Sequence, residues 1–544
     1  MSKKRFKSGV PVVAAVLTAW ALLILLRVSS FFGENSVDSF YHVRAADAGP
    51  VFYMSKKFPT LEMSSWRERF SDKELGFHMV LSGIRRAGRA FGVPEGPPFN
   101  FGELLFPLLV LTAFAYAARR FGAGIWTTAC SLALLSIASP FFTDRLLMLR
   151  PHNLFIALVL LSFPILAEAS RPRDAWKPFL LGFVGAWCYS NPHFLLLPAA
   201  GFALAGFRRR LDWWWLPPLA VAGGIVAGFT IHPQFPNTFL NWKTQCVDVV
   251  WRALGGGAEI AIGNEFKRPD WSWFLKNAVP LGMAAFSMWL AWRAPRGDGA
   301  SAESAAKKDT GQTSPSSKTP LPGHIQALLF STVVACAAVP LGIRAMEYAC
   351  PFALLSFCAV SAEYRRAGKT FPYPFDSRKT ALGARILVAL SAMAFLVFQG
   401  ENYRARKPIK PFGDFAAWAA SSKIPGDAFV ANLVWSDFPM LLYARPNGKY
   451  LSGMDPMFSH AAFPKRTTTL ERIRLGREKA TPAELAELLG TKLAFISARY
   501  RVYAEHLKGL GCVAIYEGRD GWLFDLGKSG KKMEESGDNG KKTR

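Results

Sequence analysis

Apolar runs approaching the width of a bilayer recur along the chain, and arginines cluster at alternate ends of them. A segment of this kind is stable in hydrocarbon as a helix, and its basic flank marks the end left in the cytoplasm. The runs fall at roughly 10–30, 102–118, 123–142, 152–168, 177–191, 194–207, 213–231, 274–292, 324–341, 348–363 and 383–399, about eleven spans in all. Arg119-Arg120, Arg171 and Arg173, Arg208–Arg210, Arg293 and Arg296, and Arg365-Arg366 share the side of the N-terminus. Segments 31–101, 142–151 and 232–273 and everything after 400 are then outside. Arg404, Arg406, Lys407 and Lys410 run against the pattern, but the charge rule is weak for large translocated domains. Lys3-Lys-Arg-Phe-Lys7 precedes Val10–Val28 like the basic region of a signal peptide. The run is too long for a signal core and no A-x-A site follows, so it is expected to stay as the first helix.

The 544 residues are 51% hydrophobic, with 17 Trp and 44 Phe and a net charge of +26. In a water-soluble chain that charge would suggest nucleic acid. Here it marks cytoplasmic loops and anionic lipid, and no groove-reading motif accompanies it, so no nucleic-acid partner is expected. The seven cysteines lie mostly inside apolar runs without C-x-x-C spacing. They read as small buried hydrophobes, and Cys246 with Cys512 is not expected to pair. The expected class is a polytopic α-helical membrane protein of a bacterial-type inner membrane, with residues 1–400 spanning it.

The outer segments carry the unusual content. In 58–92 apolar positions (Trp66, Phe70, Leu75, Phe77) alternate with charges, as in helices lying at the interface. Ser71-Asp-Lys-Glu74 has the spacing of a capping box. The loop at 232–273 opens on His232, holds Gly255-Gly-Gly and closes on Ile262-Gly-Asn-Glu265, the composition of a mobile flap. On the inner side, 295–322 is rich in Ser, Lys and Pro and reads as a disordered linker. After 400, short β-type runs (Ala428-Phe-Val-Ala, Leu493-Ala-Phe-Ile, Val513-Ala-Ile-Tyr, Trp522-Leu-Phe) alternate with helical stretches at Asp414–Ser421 and Thr481–Leu489. That predicts a C-terminal extracytoplasmic α/β domain over 401–528, followed by a solvated tail at 529–544.

Acids at helix ends are the sharpest chemical signal. Asp38, Asp144 and Glu265 come from three different outer loops. Hard cations such as Mg2+ or Mn2+ take carboxylate oxygens together with substrate phosphates, so three acids at one face can hold a divalent metal against a lipid-linked phosphate or diphosphate. Arg344, between two late spans, can clamp a phosphate or pair with Glu347 three residues on. His42, His152 and His232 can orient phosphates, move protons or simply hydrogen-bond at the interface. Arg27 inside the first span is expected to snorkel outward. Trp435 and Asp437, two apart at a strand end, would share a side and offer an apolar wall and an acceptor oxygen to a hydroxyl-bearing molecule. The alternative there is a core aromatic beside a turn acid.

Asp38-Ser-Phe-Tyr-His-Val-Arg44 after the first span resembles the first-loop motif of GT-C glycosyltransferases, above all the oligosaccharyltransferase catalytic subunit. The resemblance implies Asp38 and Asp144 as metal ligands from the first two loops and Glu265 as the acid of the mobile loop. It implies Arg344 as the arginine meeting donor phosphate, and Trp435 with Asp437 as the acceptor motif. Two places depart from the family pattern: Asp144-Arg145-Leu146 lacks the paired acids, and Trp435-Ser-Asp437 has one tryptophan where the family has two.

The expected activity is transfer of a sugar from a polyprenyl-phosphate or -diphosphate carrier to an extracytoplasmic acceptor, with the active site on the outer face. Asp38, Asp144 and Glu265 would hold metal or act as base, and Arg44, Arg344, His42 and His152 would meet donor phosphate. Protein N-glycosylation, a lipid or glycan transporter, and a many-pass scaffold are the alternatives. A transporter predicts internal symmetry between halves, and a scaffold predicts indifference to Asp38→Asn.

Overall fold

The computed structural model describes residues 10–30, 34, 36–92, 102–169, 171–255, 260, 263, 267–294, 321–367, 393, 397, 409–422 and 424–529. Outside them lie Glu265, all but the end of the 295–322 linker, most of the 383–399 run, Arg404, Arg406 and Lys407, and the tail past 529. The chain divides into two compact units. One comprises Met1–Met54, Asp72–Trp242 and Gly263–Ile409; the other comprises Ser55–Ser71, Lys243–Ile262 and Lys410–Arg544.

In the first unit each apolar run up to 363 forms a helix, as a chain with no water to satisfy its peptide groups must. Among the described residues five helices are long and apolar enough to cross a membrane, or six if the bent pair Ile125–Ile137 and Pro140–Leu146 counts as one span. Trp176–Cys188, Leu196–Arg208, Leu216–Ile231 and Ala278–Arg293 are apolar but only 13–16 residues long. At 1.5 Å per residue they rise about 20–24 Å, short of the ~30 Å hydrocarbon core. The protein is thus a multi-pass helical membrane protein, and among the described residues several of the expected spans are helices shorter than the hydrocarbon core.

The run at 123–142 does not cross straight. It breaks at Ser139-Pro140, and the two halves meet at 89°. Proline cannot donate to the preceding turn, and Ser139 restarts the helix by accepting the Phe142 amide at 3.0 Å while donating to Asn277 Oδ1 at 2.6 Å. Glycines bring Trp176–Cys188 against Leu216–Ile231 backbone to backbone: a Cβ at Gly182 or Gly224 would collide with the Val221 or Phe179 carbonyl, the small-residue packing usual between membrane helices.

The basic helix ends gather as their alternation predicts. Arg120 pairs with Glu168, Arg365 donates to the Gly122 carbonyl at 2.7 Å, Arg366 donates to the Phe121 carbonyl at 3.1 Å, and His324 stacks on Phe121. Arg27, expected to snorkel, instead forms a buried ion pair with Glu103 at 2.8 Å. Pairing replaces the long reach to water that a lone guanidinium in hydrocarbon would need.

The second unit holds a five-stranded sheet in the order β2-β1-β3-β5-β4. Its strands are β1 (Phe429–Asn432), β2 (Lys449–Tyr450), β3 (Leu493–Ser497), β4 (Cys512–Glu517) and β5 (Gly521–Ser529). β1 is parallel to β2 and β3, while β5 is antiparallel to β3 and β4. Four of these strands and the helices Gly413–Ser421 and Pro482–Leu489 occupy the places the β-type runs and helical stretches predict. The expected sequence-local domain, however, recruits two outer-loop segments. Trp66 and Phe70 are fully buried, packed with Phe58 and Phe458. They are core residues of this unit and not an interfacial helix face, and the amides of residues 62 and 63 donate to the Tyr450 carbonyl that ends β2 and the Leu451 carbonyl just past it. Half of the glycine-rich loop is likewise ordered helix: a π-helical turn at Lys243–Asp248 runs into Val249–Leu254. All seven cysteines are free.

Candidate active site

Asp38 opens the helix Asp38–Ala48 directly after the first span. Its carboxylate pairs with Arg150 at 2.8 Å, both side chains being about one-fifth exposed. Arg150 also donates from Nε to Ser36 Oγ at 2.8 Å, and Glu34 collects the Ser39 hydroxyl at 2.7 Å and the Ser36 amide at 3.2 Å. A guanidinium fixed by two separate groups presents its charge in one direction.

Arg150 immediately precedes the helix Pro151–Glu168, and a second charged group begins on that helix's first turn. His152 Nε2 bonds the Arg145 carbonyl at 2.8 Å, and its Nδ1 lies 3.5 Å from the Arg145 guanidinium. Arg145 pairs with the fully buried Glu347 at 2.6 Å. Arg344 donates to the Tyr189 hydroxyl and lies over that ring at 5.7 Å. Arg145, Arg150 and Arg344 all act electrostatically on His152. Two guanidiniums five residues apart and a third from a distant part of the chain therefore act on one imidazole, Arg145 at 3.5 Å. The Arg344–Glu347 pairing considered from their spacing is not what forms: Glu347 turns to Arg145.

One helical turn past Asp38, His42 enters a third group. Its Nδ1 lies 2.9 Å from His78 Nε2, and His78 Nδ1 lies 2.7 Å from Asp72 Oδ2. Asp72 also takes the Glu74 amide at 3.1 Å, and its own amide is held by Gln234. The Ser71-to-Glu74 spacing does mark a helix start, at Leu75, but no capping box forms. Both acids turn inward instead. Burial, with His78, Arg150 and Lys73 nearby, holds His42 well below the usual histidine range. Burial also lifts the Glu74 carboxyl, aided by Asp72 and Asp38 and opposed by Lys73 and His78. His42 is thus a neutral base or ligand. Ligand atoms of His42, Glu74 and His78 all lie within 4.8 Å of one another, a possible metal-binding set.

Arg150 thus pairs with Asp38 and acts electrostatically on His42 and His152, while Arg344 acts on His152. Asp144 lies half-buried on the short helix Pro140–Leu146, beside Arg145. Arg44 is half-buried two residues past His42, about 200° around the helix from it. His232 is buried, its Nδ1 accepting the Gln234 amide at 3.2 Å, and burial brings it down to about 4. Arg145, Arg150, Asp72, Glu74 and His78 went unseen as site residues. Only Glu74-x-x-x-His78, a helix N-cap and the residue four on, offered a local signal.

In the second unit Trp435 and Asp437 sit on a 3-10 turn, not a strand end. At about 120° per residue they part, where a strand would have aligned them. Asp437 is fully buried, accepting the Ser497 hydroxyl at 2.8 Å and amide at 3.2 Å. Trp435 instead lines a pocket with Met63, Leu433, Ser452, Glu471 and Tyr503.

No family model matches the chain, and no curated protein matches it. Among solved structures it is similar to the apo oligosaccharyltransferase of Archaeoglobus fulgidus, at 14% identity and a TM-score of 0.58 over 94% of this chain and 74% of that one. It is more loosely similar to ArnT from Cupriavidus metallidurans bound to undecaprenyl phosphate, at 13% identity and a TM-score of 0.48 over 95% and 97%. The second superposition carries no weight. The first shows that the chain has the GT-C-like fold of an oligosaccharyltransferase.

Proposed function

We propose that this chain, built on the fold of an archaeal oligosaccharyltransferase, is a membrane glycosyltransferase. It takes a sugar from a polyprenyl-phosphate or -diphosphate carrier and passes it to an extracytoplasmic acceptor at the outer face of a bacterial-type membrane. The observation carrying this reading is the Arg150–Asp38 ion pair two residues from His152, an imidazole on which Arg145, Arg150 and Arg344 all act electrostatically. Guanidiniums at the end of apolar helices suit the anionic headgroup of a lipid, because charge left in hydrocarbon is expensive unless it has a partner.

In the proposed reaction Arg150 and Arg344 neutralise charge building on the departing phosphate. Asp38 acts as base on the acceptor hydroxyl or amide once donor phosphate draws Arg150 away. A divalent ion would supply Lewis-acid stabilisation of the leaving phosphate, and Asp38, Asp144 and Glu265 would be its oxygen donors. The ion pair between Arg150 and Asp38 means that a metal ion and this arginine compete for one carboxylate. The Trp435 pocket is the candidate grip for the acceptor. Sugar release from a radiolabelled polyprenyl-linked donor tests the reading: Asp38→Asn should fall by on the order of 100-fold or more, and turnover equal to wild type would overturn it.

A further inference from the structure

His42, His78, Glu74 and Asp72 form a buried polar group in which His42, expected from the sequence to meet donor phosphate, contacts His78. Their exposures are 3%, 0%, 3% and 1%. Two imidazoles 2.9 Å apart and two carboxylates are costly to bury together unless each polar atom is satisfied. One is not: Glu74 Oε2 has no hydrogen-bond partner, and the nearby cation, Lys73 Nζ, stands 3.7 Å from the other oxygen.

We propose that His42, His78 and Glu74 bind a zinc-class divalent ion, with Asp72 fixing His78 in the ligating tautomer. Two imidazoles and one carboxylate select a transition metal over Mg2+, which prefers oxygen alone. The His78 Nδ1 bond to Asp72 at 2.7 Å leaves the Nε2 lone pair facing His42, the carboxylate–histidine arrangement that supports bound metals. In the ion-free form His42 Nδ1–H fills the place between the rings. On binding, His42 carries its proton on Nε2 and offers Nδ1 to the ion, so no other group need change protonation at this pair. Bonds of about 2.0–2.1 Å in a tetrahedral set place donors ~3.3 Å apart, so the present spread of up to 4.8 Å must narrow on binding. The dication offsets the buried Asp72 and Glu74 charges and gives Glu74 Oε2 its missing partner. Three protein ligands leave a fourth position open. Edges of Phe77 against His42 at 5.2 Å and Tyr41 against His78 at 5.8 Å wall the site.

The inference does not rest on sugar transfer, and its test reads metal directly. Full-length protein in detergent, stripped with chelator, is titrated with Co2+ and then Zn2+, following the visible band of tetrahedral cobalt and the bound metal by mass spectrometry. About one equivalent per chain is expected, with the band bleached by Zn2+. His78→Ala and Glu74→Gln should lose the band while remaining monodisperse, and Asp38→Asn should keep it. Absence of bound metal in wild type, or a band abolished by Asp38→Asn and untouched by His78→Ala, would overturn the proposal.

Discussion

Asp437 shows how one residue can be visible in a sequence while its setting is not. Its place beside Trp435 suggested a solvent-facing acceptor. The 3-10 turn drives it inward onto Ser497, where burial lifts its carboxyl from the ordinary 3.8 to about 6. Between those values the folded chain holds the proton more tightly than the unfolded chain. Its contribution is therefore fully present in acid and is lost as pH rises through about 6, a swing of about 3 kcal/mol. Hydrogen exchange at the Ser497 amide should accelerate across that window in wild type, and Asp437→Asn should flatten the dependence. An unchanged slope in the variant would mean that another group is responsible. Asp38 and His42 were legible because one short motif puts them four apart. Asp72, His78 and Arg150 were not, because their bonds to that motif cross 36 to 112 residues of chain or depend on which side chain wins a shared partner.

At the scale of elements, each apolar run up to 363 marked a helix but not its length or its bends, and the outer-loop helices Asp38–Ala48 and Asn237–Trp242 fell outside those runs. The break at Ser139-Pro140 was written in the sequence as a capping residue followed by proline and was overridden by the continuity of apolar residues around it. Close packing was also invisible, since a glycine does not announce its neighbour. Gly224→Ala should separate Trp176–Cys188 from Leu216–Ile231 and reduce the yield of folded protein several-fold. Gly223→Ala, whose Cβ would meet only the Phe179 ring at 3.7 Å, should express like wild type. Equal yields would show that the helices can part at no cost. In the second unit Thr481 and Glu484 form the reciprocal capping box that Ser71 and Glu74 do not. Thr481→Ala should lower that unit's stability by about 1 kcal/mol, read as a shift in its denaturant midpoint.

For the whole molecule, the strongest sequence inference was orientation, because it sums many weak charges. The ion pairs and carbonyl contacts that gather Arg120, Arg365, Arg366 and Glu168 at one end agree with it. In a background lacking the native cysteines, Glu68→Cys should react with an impermeant thiol reagent on intact cells and Arg173→Cys only after lysis. Both side chains are well exposed, at 62% and 74%, so the reverse pattern would invert the assigned topology. The division into units was less legible, since a domain assembled from 55–71, 243–262 and 410–544 leaves no boundary in the linear chain. The proposed function turns on Arg150 and Arg344 holding an anionic lipid headgroup. Its most direct measurement is the affinity of the purified protein for polyprenyl phosphate set against uncharged polyprenol. Removing a charge-assisted bond costs about 1.5–3 kcal/mol, so Arg150→Gln and Arg344→Gln should each weaken phosphate binding by roughly 10- to 100-fold and leave polyprenol binding unchanged. Phosphate binding as tight in both variants as in wild type would contradict it.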